Sequence, residues 1–96
     1  RIQIKILYTS YFLQLDYDED ATSHSAQSYF DDELGHQPFN NRSAEEMRIM
    51  LQTIGKDLSL DEYSLKKLEI FLRTELPFFA VTRRLVRQWV NQNFVY

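Results

Sequence analysis

Pro77 constrains this chain more than any other residue, because it interrupts the longest helical pattern, which runs from Ser59 to Phe94. Proline lacks a backbone N–H and disfavours helical geometry at the residue before it. The first helix is therefore expected to end near Leu76. Because proline suits the first turn of a helix, a second helix is expected to begin at Pro77 and to meet the first at an angle.

Each of these two helices has an apolar stripe at helical spacing. A capping box of Ser59 and Glu62 predicts the start of the first helix. Its stripe consists of Leu65, Leu68, Leu72 and Leu76, with Phe71 beside them. The stripe of the second helix consists of Phe78, Val81, Leu85 and Trp89, widened by Val86 and Val90. We expect one core to contain Leu68, Leu72, Val81, Leu85 and Trp89.

Two further helices are predicted earlier in the chain. Ser43, followed by Glu46 three residues later, is typical of a helix start. The stripe of that helix consists of Met47, Met50, Leu51 and Ile54, and Gly55 is expected to end it. A shorter helix is possible from Ser25 to Leu34, with Gly35 as its stop.

Residues 2–17 are ambiguous. Apolar residues alternate up to Tyr8 and resume out of phase at Tyr11, which favours one strand with a bulge at Thr9–Ser10. Two short strands are an alternative, although Thr-Ser is a weak signal for a tight turn. A helix is the other alternative, since several of these residues also fall on one broad helical face. Because β-branched and aromatic residues are frequent here, we expect a strand.

The sequence therefore predicts one small domain over residues 1–96. Its fold class is α+β and mostly helical, with an N-terminal strand segment followed by a three- to four-helix bundle; an all-α bundle is the alternative. The predicted strand has no second segment of β character to pair with, and exposed strand edges are normally paired or covered. Pairing with the same strand of a second copy would give a two-fold homodimer. Its interface would include Ile4, Ile6, Leu13 and Leu15.

Composition excludes several classes of protein. The 96 residues include no cysteine, which excludes disulfides, thiolate catalysis and cysteine zinc sites. No apolar run approaches the roughly 20 residues of a membrane span, so no membrane association is expected. The absence of cysteine is compatible with a reducing compartment, and we expect an intracellular protein, cytoplasmic or nuclear.

Charge is distributed unevenly along the chain. Residues 1–46 carry a net charge of −6 and residues 47–96 a net charge of +3. Basic side chains on the second helix could contact phosphates, namely Arg83, Arg84 and Arg87. This suggests a small DNA-binding regulator as an alternative function. A solvated arginine face also explains the pattern, and the overall charge of −3 is unlike that of a typical nucleic-acid-binding domain.

No metal, cofactor or catalytic site is expected. The spacing of Asp16, Asp18 and Asp20 is that of a calcium-binding EF-hand loop, but Ala21 and Gln27 replace its required glycine and glutamate. The two histidines, His24 and His36, lie near carboxylates in polar loop sequence, without a converging nucleophile and base. We therefore expect a non-catalytic protein–protein interaction or self-association module with a regulatory role.

Overall fold

The computed structural model describes residues 3–18 and 29–95, and these residues form four α-helices. The helices are α1 (Asp32–Gly35), α2 (Ala44–Asp57), α3 (Glu62–Thr74) and α4 (Arg83–Asn93). Within the described ranges, β-pairing is limited to isolated bridges. The prediction of a mostly helical fold is confirmed, whereas the predicted N-terminal strand is not confirmed among residues 3–18. Of the short helix predicted from Ser25, only the part after residue 28 lies within the described residues.

The N-terminal segment reverses direction instead of running as one bulged strand. Ile6 donates its backbone N–H to the carbonyl of Tyr11 at 2.9 Å, and Leu13 donates to Ile4 at 3.2 Å. Residues 7–10 form the turn between the two arms. The alternation of apolar residues therefore reflects two short arms that pair with each other, which is closest to the alternative of two short strands.

A buried carboxylate on α3 stops this pairing from growing into a sheet. The next backbone donors along the segment, those of Gln14 and Leu15, bind the side chain of Glu69 at 2.9 to 3.0 Å. A side chain thus satisfies backbone groups that a neighbouring strand would otherwise bind. Some of the backbone donors that motivated a strand-swapped dimer, including those of Gln14 and Leu15, are thus satisfied within the chain.

The predicted start of α2 is confirmed, but its predicted end is not. The Ser43 hydroxyl accepts the backbone N–H of Glu46 at 3.2 Å. The helix continues two residues beyond Gly55, and Leu60 then donates its N–H back to the carbonyl of Gly55 at 2.8 Å. Ser59 has a φ of 55°, so this end is a Schellman motif with serine in the left-handed position.

Gly55 is needed for close packing rather than for helix termination. A Cβ atom at this position would lie 1.9 Å from the hydroxyl of Tyr8 and 3.0 Å from a methyl group of Leu65. The glycine therefore lets the N-terminal segment and α3 approach α2 closely.

The N-cap of α3 is Asp61, not Ser59. The Asp61 carboxylate accepts the backbone N–H of Ser64 at 2.8 Å. Ser59 cannot start α3 because its left-handed backbone belongs to the end of α2. The predicted end of α3, near Leu76, lies two residues beyond its last helical residue, Thr74.

Pro77 does not begin a helix. α4 starts six residues later, with Thr82 as its N-cap. The residues before α4 are extended along the loop that precedes α2: Phe39 donates to the carbonyl of Val81 at 2.8 Å, and Pro38 forms an antiparallel bridge with Thr82. This pairing keeps the residues around Val81 extended, so α4 begins only at Arg83.

The core is centred on α2. It confirms most of the predicted stripe of α3, but of the predicted stripe of α4 only Val86 and Val90 are buried. Leu68 and Leu72 are fully buried, whereas Val81 is 51% and Leu85 45% exposed, and Trp89 is half-buried. The late start of α4 changes which residues face inward. The buried residues of α4 are Arg83, Val86 and Val90.

Candidate interaction surface

The connection between α3 and α4 exposes an unusual concentration of large apolar side chains. Phe78 is 92% and Phe79 54% exposed, and their rings meet edge to face at 5.7 Å. Exposed single apolar residues are ordinary, but a contiguous group is typical of an interaction site. We call this group the aromatic surface; it consists of Phe78, Phe79, Val81, Leu85 and Trp89.

The backbone beneath the aromatic surface is held in place. Ala80 donates its N–H to the carbonyl of Pro77 at 3.0 Å, which closes a turn around the two phenylalanines. Arg83 donates its backbone N–H to the carbonyl of Gln37 at 3.1 Å. The exposed rings are thus carried by a hydrogen-bonded turn whose C-terminal side is attached to the loop before α2.

A groove of about 190 Å³ adjoins the aromatic surface. It is lined by Phe79, Leu85, Gln88, Trp89 and Gln92. Its polar edge is formed by two glutamines, and the described residues that line it include no charged side chain. Such a groove fits an apolar side chain from a partner, with amide groups at the edge.

A second groove, of about 310 Å³, lies between α3 and the C-terminal end of α4. We call it the α3 groove; it is lined by Lys67, Ile70, Phe71, Thr74, Glu75, Phe94 and Val95. Ile70 is 46% and Val95 83% exposed. The ring of Phe71 stacks on Trp89 with a centroid distance of 5.6 Å, so this stack connects the α3 groove to the aromatic surface.

Arg83, the first residue of α4, is buried rather than solvated. Its guanidinium binds the carboxylate of Glu46 at 3.2 Å and the carbonyl of Leu34 at 3.0 Å, and lies 4.0 Å from the ring centre of Tyr29. The Tyr29 hydroxyl donates to the same carboxylate at 2.5 Å. This cluster attaches α4 to α2 and α1.

The other two arginines predicted for nucleic-acid contact also have partners within the chain. Arg84 donates to the carbonyl of Phe30 at 2.6 Å. Arg87 binds both oxygens of Asp57 at 2.9 and 3.1 Å. Phosphate contact by Arg83, Arg84 and Arg87 stays a prediction, but it would have to compete with these intramolecular bonds.

A pocket of about 550 Å³ lies beside these arginines. It is lined by Phe30, Asp31, Asp57, Arg84, Arg87, Gln88 and Asn91. Partial burial raises the pKa of the Asp57 carboxyl and is the largest single contribution. The hydrogen bonds from Arg87 and Asn91, with the charge of Arg87, together outweigh it, so the pKa lies below its usual value. Within this pocket Arg87 and Asp57 neutralise each other as an ion pair.

Glu69 is completely buried on α3 and accepts hydrogen bonds from the N-terminal segment. The hydroxyls of Tyr11 and Tyr17 each donate to it at 2.5 Å. Burial, together with the bond to Glu69, raises the pKa of both tyrosines well above the ordinary value. With the two backbone donors already described, the carboxylate receives four donor groups and serves as the anchor of residues 11–17.

The residues predicted for a dimer interface lie in the N-terminal segment. Ile6 and Leu13 are buried inside the chain, at 0% and 3% exposure, and Ile4 and Leu15 are half-buried. Their participation in a homodimer stays a prediction. Only Ile4 and Leu15 retain surface that another chain could cover without rearrangement.

The metal and histidine hypotheses find no convergent site in the part of the chain that is described. Asp16 and Asp18 are exposed, and the backbone N–H of Asp18 donates to Arg42 at 2.8 Å. Asp20, His24 and Gln27 lie outside the described residues. His36 is exposed, and no group of three potential metal ligands occurs among residues 3–18 and 29–95.

Sequence reasoning missed the two buried charged residues and the aromatic surface. The arginine pattern of α4 suggested a solvated face for Arg83, and the sequence analysis gave Glu69 no role. One signal was available for the aromatic surface: Phe78 and Phe79 directly follow Pro77, where a turn would place them outside any helical stripe.

None of the described helices is long and apolar enough to cross a membrane. Comparison with known proteins identifies no matching family model, curated protein or solved structure.

Proposed function

We propose that this chain is a non-catalytic protein-interaction module and that its aromatic surface binds a different protein. The observation that carries the proposal is the exposure of Phe78 and Phe79 on a segment with a fixed backbone. Aromatic side chains dominate the energy of many protein interfaces. A fixed backbone also reduces the entropy that binding would cost.

The chemistry of the adjoining groove indicates the kind of partner. Its polar lining residues are Gln88 and Gln92, and its apolar lining includes Leu85 and Trp89. An apolar ridge, such as one face of an amphipathic helix, fits a groove of this type. Because charge contributes little in this groove, the affinity should depend weakly on salt.

Site-specific photocrosslinking in the cells that produce the chain tests this proposal. A photoreactive phenylalanine at Phe78 should give one discrete adduct with another protein, and the same group at Leu7 should not. Leu7 is a matched control because it is 71% exposed but lies in the N-terminal turn. Leu85→Ser should weaken the Phe78 adduct, and Leu7→Ser should leave it unchanged.

The salt dependence of binding separates this proposal from the DNA-binding alternative. With the partner purified, affinity should change little between low and high salt. Binding to nucleic acid through the arginines would weaken steeply as salt rises, because counterions are released. A chain that gives no discrete protein adduct at Phe78, but binds DNA in this salt-sensitive manner, would overturn the proposal.

A further inference from the structure

The α3 groove is an apolar surface with one charge at each end. Lys67 lies at one end and Glu75 at the other, and both side chains are exposed. They are eight residues apart along α3 and its C-cap, roughly 12 Å at helical rise. Phe71 lies midway between them, with Ile70 exposed beside it.

This arrangement is self-complementary. If a second copy is placed with its α3 antiparallel to the first, about a two-fold axis near Phe71, each Lys67 faces the Glu75 of the other copy. Ile70 and Phe71 then lie close to the axis, where apolar contacts form the centre of an interface. A partner with charges of one sign would instead be repelled at one end of the groove.

We propose that the α3 groove is the self-association surface of this chain and that a second copy occupies it in a two-fold symmetric dimer. Two-fold interfaces use the same patch on both subunits, so each favourable pair occurs twice. This proposal is independent of the one made for the aromatic surface. It also differs from a dimer through the N-terminal segment, whose residues Ile6 and Leu13 are already buried within the chain.

Sedimentation equilibrium of the full chain tests the proposal. The parent should show a reversible monomer–dimer equilibrium above the chain mass of 11.6 kDa. Ile70→Glu should raise the dimer dissociation constant by at least about thirtyfold, because it places a charge near the axis in both copies. Leu7→Glu is the matched control and should leave the constant unchanged.

A charge exchange identifies the occupant as a second copy. Lys67→Glu and Glu75→Lys should each weaken the dimer by about tenfold, since two exposed pairs are lost per dimer. The double variant should restore the parent constant. Circular dichroism should show unchanged helix content in every variant, because all of these side chains are exposed.

Three results would overturn the proposal. The parent chain would sediment only as a monomer, or Ile70→Glu would leave a dimer intact, or the double variant would fail to regain the parent constant. Loss of the dimer in Leu7→Glu alone would assign the interface to the N-terminal segment instead. None of these results bears on photocrosslinking at Phe78, so failure of this proposal can be told apart from failure of the first.

Discussion

α3 and α4 have comparable apolar stripes in the sequence, yet these stripes are buried to different extents in the folded chain. α3 buries Leu65, Leu68 and Leu72 completely, and it also buries Glu69 among them. α4 buries Val86 and Val90 but leaves Leu85 45% exposed. The difference is that the N-terminal segment covers α3, while the described residues provide no such cover over Leu85.

Each helix also has one buried charged side chain, which lies where another segment of the chain packs against the helix. Glu69 of α3 is neutralised by no ion pair among the described residues and depends on four donor groups. Arg83 of α4 has a carboxylate partner in Glu46. The comparison teaches that the cover supplied by remote segments, more than the pattern of a helix itself, decides which side chains remain available for binding.

Alkaline pH should have the largest effect, because it acts on the tyrosines that bind Glu69 of α3 and on the tyrosine in the cluster that attaches α4. Burial, together with the hydrogen bonds to Glu69 and Glu46, raises the pKa of Tyr11, Tyr17 and Tyr29 above the ordinary value. The unfolded chain loses these protons near pH 10, whereas the folded chain retains them. The contribution of these tyrosines to the free energy of unfolding should therefore be fully present below about pH 10 and should fall as the pH rises further.

Tyrosinate absorbance and circular dichroism, recorded together, measure this effect. The buried tyrosines should ionise only as the helical signal is lost. Ionisation of every tyrosine at the ordinary pKa, with the helices intact, would show that these hydroxyls are not held as described.

Removal of the α3 anchor should cost the most among single substitutions. Glu69→Ala leaves the buried hydroxyl of Tyr11, the partly buried hydroxyl of Tyr17 and two partly buried backbone N–H groups without their acceptor. We expect a loss of about 3–5 kcal/mol in the free energy of unfolding, measured by urea denaturation. Glu69→Gln keeps the shape and one acceptor and should lose less. If the alanine variant were as stable as the parent, the N-terminal segment would not be anchored through α3.

Arg83, which attaches α4, should contribute less to stability than Glu69, because the side chain of its partner Glu46 retains some access to water. Arg83→Met should cost about 2–3 kcal/mol in urea denaturation, since the carboxylate of Glu46 loses its cation. Arg84→Met serves as the control, because Arg84 is exposed. Equal effects of the two substitutions would contradict the burial of Arg83.

Trp89 should contribute least, because only one of its sides is covered. Its ring stacks on Phe71 but borders the groove of the aromatic surface. Trp89→Ala should cost about 1–2 kcal/mol, below the roughly 3–5 kcal/mol of a fully buried tryptophan. Leu68→Ala, at a fully buried position of α3, should cost more than Trp89→Ala. The reverse order in thermal or urea unfolding would remove the distinction between the two helices.

Local signals predicted the helices that form from their own residues. Two such signals are the capping pair of Ser43 and Glu46 and the leucine spacing of α3. Both depend on residues within one or two helical turns, so both can be recognised from the sequence. Pro77 was a correct signal for the end of α3 but not for the start of α4. There, pairing of Val81 with Phe39, 42 residues away in the chain, outweighed the local preference.

The sequence by itself determined that the chain is mostly helical, where α2 begins and that Leu68 and Leu72 lie in the core. Only the tertiary structure decided that residues 4–13 reverse, that Glu69 and Arg83 are buried, and that Phe78 and Phe79 are exposed. The physical reason is the range of the interactions. Helix caps and stripes depend on neighbours three or four residues apart, whereas Glu69 binds groups 52 to 58 residues away, which no local pattern encodes.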